Sequence, residues 1–238
     1  DVGILTSGVA IGGRGPVDTA GAADALLGKT LTGHDIYVQG GSVTLAQATA
    51  NGAGSDLAVD ATTGDLNLTN GTAGGTITLT KEGTTGALTA GTLSAGTGAS
   101  LTSSTSISAT NVQSSSGDVD FDAIEGVTVG TVSAQAGHVN FLANDLDIAN
   151  SVTGSAVSIT NREGGNNLTV LGDASAANAF TLTQNEINRI HTATLTIDSL
   201  DQNLLVGNVA FANDVGSSRI NLLGTGRVDI VGAIDGSG

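Results

Sequence analysis

The chain has 238 residues, a net charge of −15, 36 glycines and no cysteine. Its seven lysines and arginines are too few for the clustered basic contacts that nucleic-acid phosphates or anionic membrane surfaces require. Disulfides, thiolate metal sites and cysteine nucleophiles are excluded, and no apolar stretch approaches the roughly 20 residues of a transmembrane helix. We therefore expect no nucleic-acid partner and no membrane insertion.

The first 30 residues show no regular pattern. Asp18–Gly28 is compatible with a short corner helix around Ala22, Leu26 and Leu27. Gly12-Gly-Arg-Gly15 superficially suggests a phosphate-binding loop. Because neither the Lys-Ser/Thr pair nor the start of a helix follows it, we interpret this stretch as a turn.

From residue 36 onward, apolar-x-apolar triplets recur about every twenty residues. Such a triplet places two side chains on one face of a strand. The first series is Ile36/Val38, Leu57/Val59, Ile77/Leu79, Ala99/Leu101, Val119/Phe121, Val139/Phe141, Val157/Ile159 and Phe180/Leu182. The second is Val43/Leu45, Leu66/Leu68, Leu88/Ala90, Ile107/Ala109, Val127/Val129, Leu146/Ile148, Leu168/Val170 and Leu195/Ile197. A fainter third row is Leu93, Val112, Val132 and Val152.

The constant phase of these rows predicts an all-β fold, a parallel β-helix. Independent domains would not keep the same phase over eight repeats, whereas stacked solenoid turns do so. Three short strands per turn of about 20 residues predict a triangular section, 11 or 12 turns, and a single solenoid spanning residues 1–238. The crossover rule favours a right-handed coil.

The run from Asp118 to Asp122 places the carboxylates of Asp118, Asp120 and Asp122 on one outer face. Oxygen ligands that converge in this way are suited to Ca²⁺. The competing interpretation is a solvated strand face that keeps the rod soluble. The GGxGxD repeat of calcium-binding β-rolls does not occur. We therefore assign no metal, cofactor-binding or catalytic residue and keep Ca²⁺ only as an alternative.

An enzymatic alternative rests on Asp145 and Asp147, which follow Asp120 and Asp122 by about one turn. That spacing predicts four neighbouring carboxylates, as a β-helix polysaccharide lyase or hydrolase would require. However, no lysine or arginine occurs between Lys81 and Arg162, and no aromatic platform for sugar stacking is present. We therefore predict that the protein is not an enzyme.

Neither the histidines nor the threonine motifs have the spacing that a functional site would require. His34, His138 and His191 have no metal-ligand spacing, so we expect surface or corner histidines. Residues 76–80 and 181–183 have the T-x-T form, but ice binding would require such motifs on every turn. Since equivalent positions vary among Asn, Ser, Asp, Ala and Thr, we favour a plain stacking ladder.

An insertion near residues 183–192 interrupts the repeat. Thr183 and Glu186 have the spacing of a capping box, and Ile187 and Ile190 follow at helical spacing. We predict a corner helix of two to three turns that packs these isoleucines against the rod. Its expected role is to cover apolar surface or shape a lateral contact, with direct ligand binding as the alternative.

After residue 200 the register is ambiguous, because the apolar pairs can be assigned to the repeat in more than one way. These pairs are Leu204/Val206, Val209/Phe211, Ile220/Leu222 and Val228/Ile230. Neither end has a recognisable cap. Because open solenoid ends expose strand edges, we expect a segment of a longer repetitive protein or a unit that stacks end to end.

Phrases such as SVTL, DLNLT, TITLT, VTVGTVSA and LTIDSL, repeated over roughly residues 36–200, resemble filamentous haemagglutinin-like and autotransporter passenger β-helices of Gram-negative bacteria. This resemblance implies a secreted or cell-surface protein with a non-enzymatic role in adhesion, fibre formation or surface-layer assembly. The partners expected from it are further copies of the chain, flanking β-helix turns, or glycans and proteins on host or neighbouring cells. The acidic, Lys-poor and cysteine-free composition is also typical of exported bacterial surface proteins.

Overall fold

Alternating apolar and polar residues form 22 strands and one helix in the part of the chain that the structure describes. The computed structural model describes residues 5–6, 17–18, 29–162, 168–176, 179–200, 202–211 and 219–235. The elements are β1 (Leu5–Thr6), β2 (Val17–Asp18), β3 (Lys29–Gly33), β4 (Ile36–Gly40), β5 (Val43–Ala50), β6 (Leu57–Ala61), β7 (Leu66–Ala73), β8 (Thr76–Lys81), β9 (Leu88–Ala95), β10 (Gly98–Ser103), β11 (Ile107–Ser114), β12 (Val119–Ala123), β13 (Gly126–Ala143), β14 (Asp145–Asn161), β15 (Leu168–Leu171), β16 (Phe180–Leu182), α1 (Gln184–Ile187), β17 (Ile190–Asp198), β18 (Asn203–Val206), β19 (Val209–Ala210), β20 (Arg219–Leu223), β21 (Val228–Ile230) and β22 (Ile234–Asp235).

These strands stack as a parallel β-solenoid of about nine turns, which confirms the predicted fold class. Leu57 lies opposite Ile77, and Ile77 lies opposite Ala99, so each strand pairs with its counterpart one turn later. The expected 11 or 12 turns were too many. One reason is that Val157 lies opposite Leu195, so a single long turn occupies the intervening residues.

Each regular turn has three faces, as the three apolar rows predicted. Face I contains residues 43–45, 66–68, 88–90, 107–109, 127–129 and 146–148. Face II contains residues 47–50, 70–73, 92–95, 111–114, 131–134 and 151–154 and includes the faint third row. Face III contains residues 36–40, 57–61, 76–81, 98–103, 119–123, 138–143 and 156–161.

Inward aliphatic side chains from all three faces form one continuous core. Strand β6 shows the pattern: Leu57, Val59 and Ala61 are buried, whereas the residues between them are partly exposed. In the middle of the rod, the rings of Phe121 and Phe141 stack with their centroids 5.0 Å apart. The two-residue alternation therefore places one aliphatic ladder on each face of the interior.

The predicted register is wrong between residues 168 and 198. Leu195 and Ile197, predicted to continue the second series, lie opposite Val157 and Ile159 of the first series on face III. Phe180 and Leu182 pair instead with β15, in a separate sheet with the order β16-β15-β18-β21. In β15, Thr169 and Leu171 lie opposite the buried Leu204 and Val206, one residue away from the predicted Leu168/Val170 pair.

The structure also resolves the threading after residue 200 that the sequence left open. Val228 and Ile230 of β21 lie opposite Leu204 and Val206 of β18. Ile220 and Leu222 of β20 lie opposite Leu195 and Ile197 of β17, so they continue face III. Val209 begins β19, which pairs with β22.

The corner helix is present but shorter than predicted. α1 is a single turn, Gln184–Ile187, with a capping box in which Thr183 and Glu186 bind reciprocally. Ile187 and Ile190 are both buried, as expected. Ile190 already lies opposite Val152 in a parallel ladder, and this extended pairing ends the helix. The possible helix at Asp18–Gly28 and the turn at Gly12–Gly15 lie outside the described residues, apart from Asp18 in β2.

Candidate functional site

The three aspartates considered for Ca²⁺ lie at the start of face III and along it, and each has a protein donor. The Asp118 carboxylate accepts the backbone N–H of His138 at 2.7 Å, and the Asp120 carboxylate accepts the side-chain amide of Asn140 at 2.7 Å. Asp122 forms an ion pair with Arg162, a partner that sequence spacing did not reveal. The described residues contain no group of three or more His, Asp or Glu side chains arranged to hold a metal ion.

The expected cluster of four carboxylates does not form. One turn beyond Asp120 lies Asn140, on the same face III. Asp147 instead lies opposite Thr128 on face I. The prediction was wrong because β14 begins a new turn, so a step of about 25 residues changes the face. The carboxylates of Asp120 and Asp147 are therefore not placed for joint acid–base chemistry.

Several aspartates at corners between faces bind the backbone of the following turn. Asp35 accepts the N–H of Asp56 at 3.0 Å, and Asp56 in turn accepts the N–H of Thr76 at 2.7 Å. Asp65 accepts the N–H of Ala87 at 2.8 Å. These carboxylates satisfy backbone donors where the chain bends away from the strand ladder, so part of the acidic composition is structural.

Two of these inter-turn carboxylates have perturbed acidity. Hydrogen bonding to the backbone of Asp56, with a smaller effect of nearby His34, lowers the pKa of Asp35 below its ordinary value of 3.8. Hydrogen bonds from the side chain and backbone of Asn208 lower the pKa of Asp173 in the same way. Both groups are stabilised as carboxylates because their oxygens accept N–H donors.

His34 and His138 are exposed, as expected for surface histidines. His34 lies beside Asp35, with Nδ1 and Oδ1 3.3 Å apart. His138 lies beside Asp118, with Nδ1 and Oδ1 3.8 Å apart. His191 is in β17, opposite Thr153.

The strands on either side of β8 do not repeat its T-x-T run. Thr78 lies between Ala58 and Ser100 in the neighbouring strands. Thr80 lies between Asp60 and Thr102. On face III the motif recurs only in Thr194-Leu195-Thr196 of β17 among the described strands, whereas an ice-binding array would need it on every turn.

Faces I and II carry a surface without ionisable side chains over five turns, a feature that the sequence reading missed. Residues 43–50, 66–73, 88–95, 107–114 and 126–134 contain no Asp, Glu, Lys, Arg or His. The ionisable residues between positions 43 and 134 are instead on face III or at its corners: Asp56, Asp60, Asp65, Lys81, Glu82, Asp118, Asp120, Asp122 and Glu125. We call the outward side chains of the five uncharged segments the charge-free surface.

The charge-free surface consists of hydroxyl and amide groups in register from turn to turn. Thr72 lies opposite Thr49 and Ser94, and Gln113 lies opposite Ser94 and Ser133. The outward polar members are Thr44, Gln47, Thr49, Asn67, Thr69, Asn70, Thr72, Thr89, Thr92, Ser94, Ser108, Thr110, Asn111, Gln113, Thr128, Thr131 and Ser133. These groups both donate and accept hydrogen bonds, so the surface suits a neutral polar partner.

A second candidate is a shallow groove of about 440 Å³ beside the corner helix. Its polar lining residues are Asp173, Gln184, Asn188, Asn208 and Asp235. The Gln184 amide donates to the carbonyl of Ala210 and accepts its N–H, at 2.7 and 2.8 Å. Asn208 donates its side-chain amide to Asp173 and accepts the N–H of Ala233. These side chains already form hydrogen bonds with neighbouring backbone groups, so their primary role is to stabilise the irregular turns.

The helix residue Glu186 and the following Arg189 bind one backbone unit of β14. The Glu186 carboxylate, in a side chain only 8% exposed, accepts the N–H of Ile148 at 3.4 Å. Its other oxygen accepts the backbone N–H and the hydroxyl of Thr183 at 2.8 and 2.7 Å. Arg189 donates to the carbonyl of Ile148. Both polar groups of Ile148 are thus satisfied by side chains instead of by a neighbouring strand.

The turn formed by residues 219–235 exposes core-type side chains. Within the described residues, β20, β21 and β22 each pair with another strand on one side only. The exposed apolar residues are Leu223, Val228, Ile230, Val231 and Ile234. Every regular turn covers equivalent positions with the next turn, so a further β-solenoid turn fits this edge.

The sequence matches no protein-family model, and no curated protein or solved structure is significantly similar to it. Family evidence therefore adds nothing to the β-solenoid architecture itself. Among the described residues, the structure has no helix with both the length and the apolar character needed to cross a membrane.

Proposed function

We propose that this protein is a non-enzymatic structural or adhesive rod of a bacterial cell-surface or extracellular fibre. The observation that carries the proposal is the charge-free surface, which extends over five turns of a chain whose net charge is −15. Contact through this surface buries no charged group and places no like charges against each other. It is therefore the part of the rod best suited to lateral contact.

The partners that fit this rod are of two kinds. Hydroxyl and amide ladders suit uncharged glycans or polar protein surfaces on host or neighbouring cells, because both provide donors and acceptors without charge. The open edge of β20, β21 and β22 suits another β-solenoid turn, supplied by flanking repeats or by a second copy stacked end to end. Both kinds of contact serve adhesion or fibre assembly.

The proposal assigns the chain to the filamentous haemagglutinin-like and autotransporter-passenger class of secreted proteins. The β-solenoid of about nine turns supports this assignment at the level of architecture. The acidic, cysteine-free composition supports a secreted or surface location. The separation of Asp120 and Asp147 onto different faces supports the proposal that the rod has no polysaccharide-cleaving activity.

Binding to defined surfaces tests this function. The purified chain would be passed over immobilised uncharged polysaccharides, immobilised anionic polysaccharides and a surface carrying the same chain, and bound samples would be assayed for released oligosaccharides. We expect binding to the uncharged polysaccharides or to the chain itself, without released sugars. Failure to bind both the uncharged polysaccharides and the same-chain surface, or cleavage of a polysaccharide, would overturn the proposal. Electron microscopy of the same samples would show filaments if copies stack end to end.

A further inference from the structure

Regular neighbouring turns of the rod are joined by backbone ladders on all three faces. β13 and β14 pair from Gly126 opposite Asp145 to Ala143 opposite Asn161, through faces I, II and III. The next junction differs, because the ladder between β14 and β17 begins only at Val152 opposite Ile190. β14 also contacts β16, which belongs to a different sheet.

Two side chains replace the missing ladder at this junction. Glu186 accepts the N–H of Ile148 and Arg189 donates to its carbonyl, as a paired strand would otherwise do. Thr183 orients the Glu186 carboxylate through its own backbone N–H and hydroxyl. We call Glu186 and Arg189 together the Ile148 latch.

We propose that this junction is a joint in the rod, held closed by the Ile148 latch, and that the chain beyond it separates there before the regular turns of residues 36–161 unfold. The stability of a solenoid is approximately the sum of its turns and of the interfaces between neighbouring turns. An interface that lacks one of its three ladders is weaker than the regular interfaces of the preceding turns, such as that between β13 and β14. Local opening follows weak interfaces, so the joint opens before those regular turns. This inference concerns the mechanics of the rod and does not depend on the partner proposed above.

Hydrogen exchange measured by mass spectrometry on the full chain tests the joint. In the unaltered protein, we expect amides of residues 145–150 and 190–198 to exchange at least about tenfold faster than those of β9 and β11. Glu186→Ala removes the acceptor for Ile148, and Arg189→Met removes the donor while keeping side-chain length. Each variant is expected to accelerate exchange of residues 145–150 and 168–206 by a further factor of about ten, with residues 66–114 unchanged.

Glu125→Gln is the matched control, because Glu125 is an exposed carboxylate at a corner of face III. It should leave exchange near Ile148 unchanged. The proposal is overturned if the unaltered chain exchanges uniformly in residues 88–198, or if the latch variants behave like Glu125→Gln. If Glu186→Ala does not fold, Arg189→Met alone decides, since it leaves the capping box of α1 intact.

Discussion

Replacing Gly96 with alanine should strongly destabilise the rod, because the corner between faces II and III has no space for a Cβ atom. A Cβ built on Gly96 would lie 2.0 Å from the carbonyl oxygen of Gly74 in the preceding turn. The equivalent atom on Gly117 would lie 1.5 Å from the carbonyl oxygen of Thr97. The glycines therefore permit neighbouring turns to approach backbone to backbone at this corner.

The size of the effect follows from the displacement that the new methyl group requires. Real Cβ atoms essentially never approach other heavy atoms within 3.0 Å, so the corner must move by about 1 Å. Overpacking of this kind costs about 1–3 kcal/mol, and the strained hydrogen bond from the Gly96 N–H to the Ala73 carbonyl adds about 1 kcal/mol. The lower entropy of the unfolded alanine chain offsets roughly 0.5–1 kcal/mol. The net loss is about 1–3.5 kcal/mol, with a central value near 2 kcal/mol.

Thermal and urea unfolding followed by circular dichroism measure this loss. For a chain of this length we expect Tm to fall by about 4–8 °C in Gly96→Ala. Gly126→Ala is the matched control, since its Cβ would meet only Asp145 at an ordinary 3.4 Å. The control should change stability by less than about 0.5 kcal/mol. Equal stability of the two variants would refute the close-approach argument.

Two further substitutions probe the polar groups of the rod. Lys81 is only 1% exposed and donates to the carbonyl of Gly83. Because burying a charged group is costly, Lys81→Met should raise the free energy of unfolding by about 1 kcal/mol. A decrease of that size in urea titrations would contradict this prediction. Asp173 has a lowered folded-state pKa, so its contribution is full above the unfolded value near 3.8 and disappears as pH falls through the folded value. The stability difference between the unaltered chain and Asp173→Asn should therefore be largest above about pH 5 and shrink toward pH 3; a difference independent of pH would argue against this linkage.

Local patterns allowed the regular part of the fold to be predicted from the sequence. Alternating burial in β6 and the row that contains Leu93 follow from a period of two residues within strands and about twenty between turns. The capping box of Thr183 and Glu186 is equally local, because both partners lie within one helical turn. Such features do not depend on how distant parts of the chain stack.

The unpredicted features depend on which turns become neighbours. Thr169 replaces Leu168 as the residue opposite Leu204, since strand order in the β15 sheet no longer follows chain order. Arg162 reaches Asp122 across two turns, which no local motif indicates. The charge-free surface was also missed, although it becomes visible once residues are assigned to faces and their ionisable side chains are compared.

The most direct test of the account introduces charges into the charge-free surface and measures binding to the uncharged polysaccharide and same-chain surfaces described above. The test variant combines Thr92→Glu with Gln113→Glu, at exposed positions on face II. The control combines Thr78→Glu with Thr97→Glu, which add the same charge on face III and its corner. The account predicts at least about a tenfold loss of binding for the first variant and little change for the control. Unchanged binding in the face II variant, or a loss confined to the control, would contradict it.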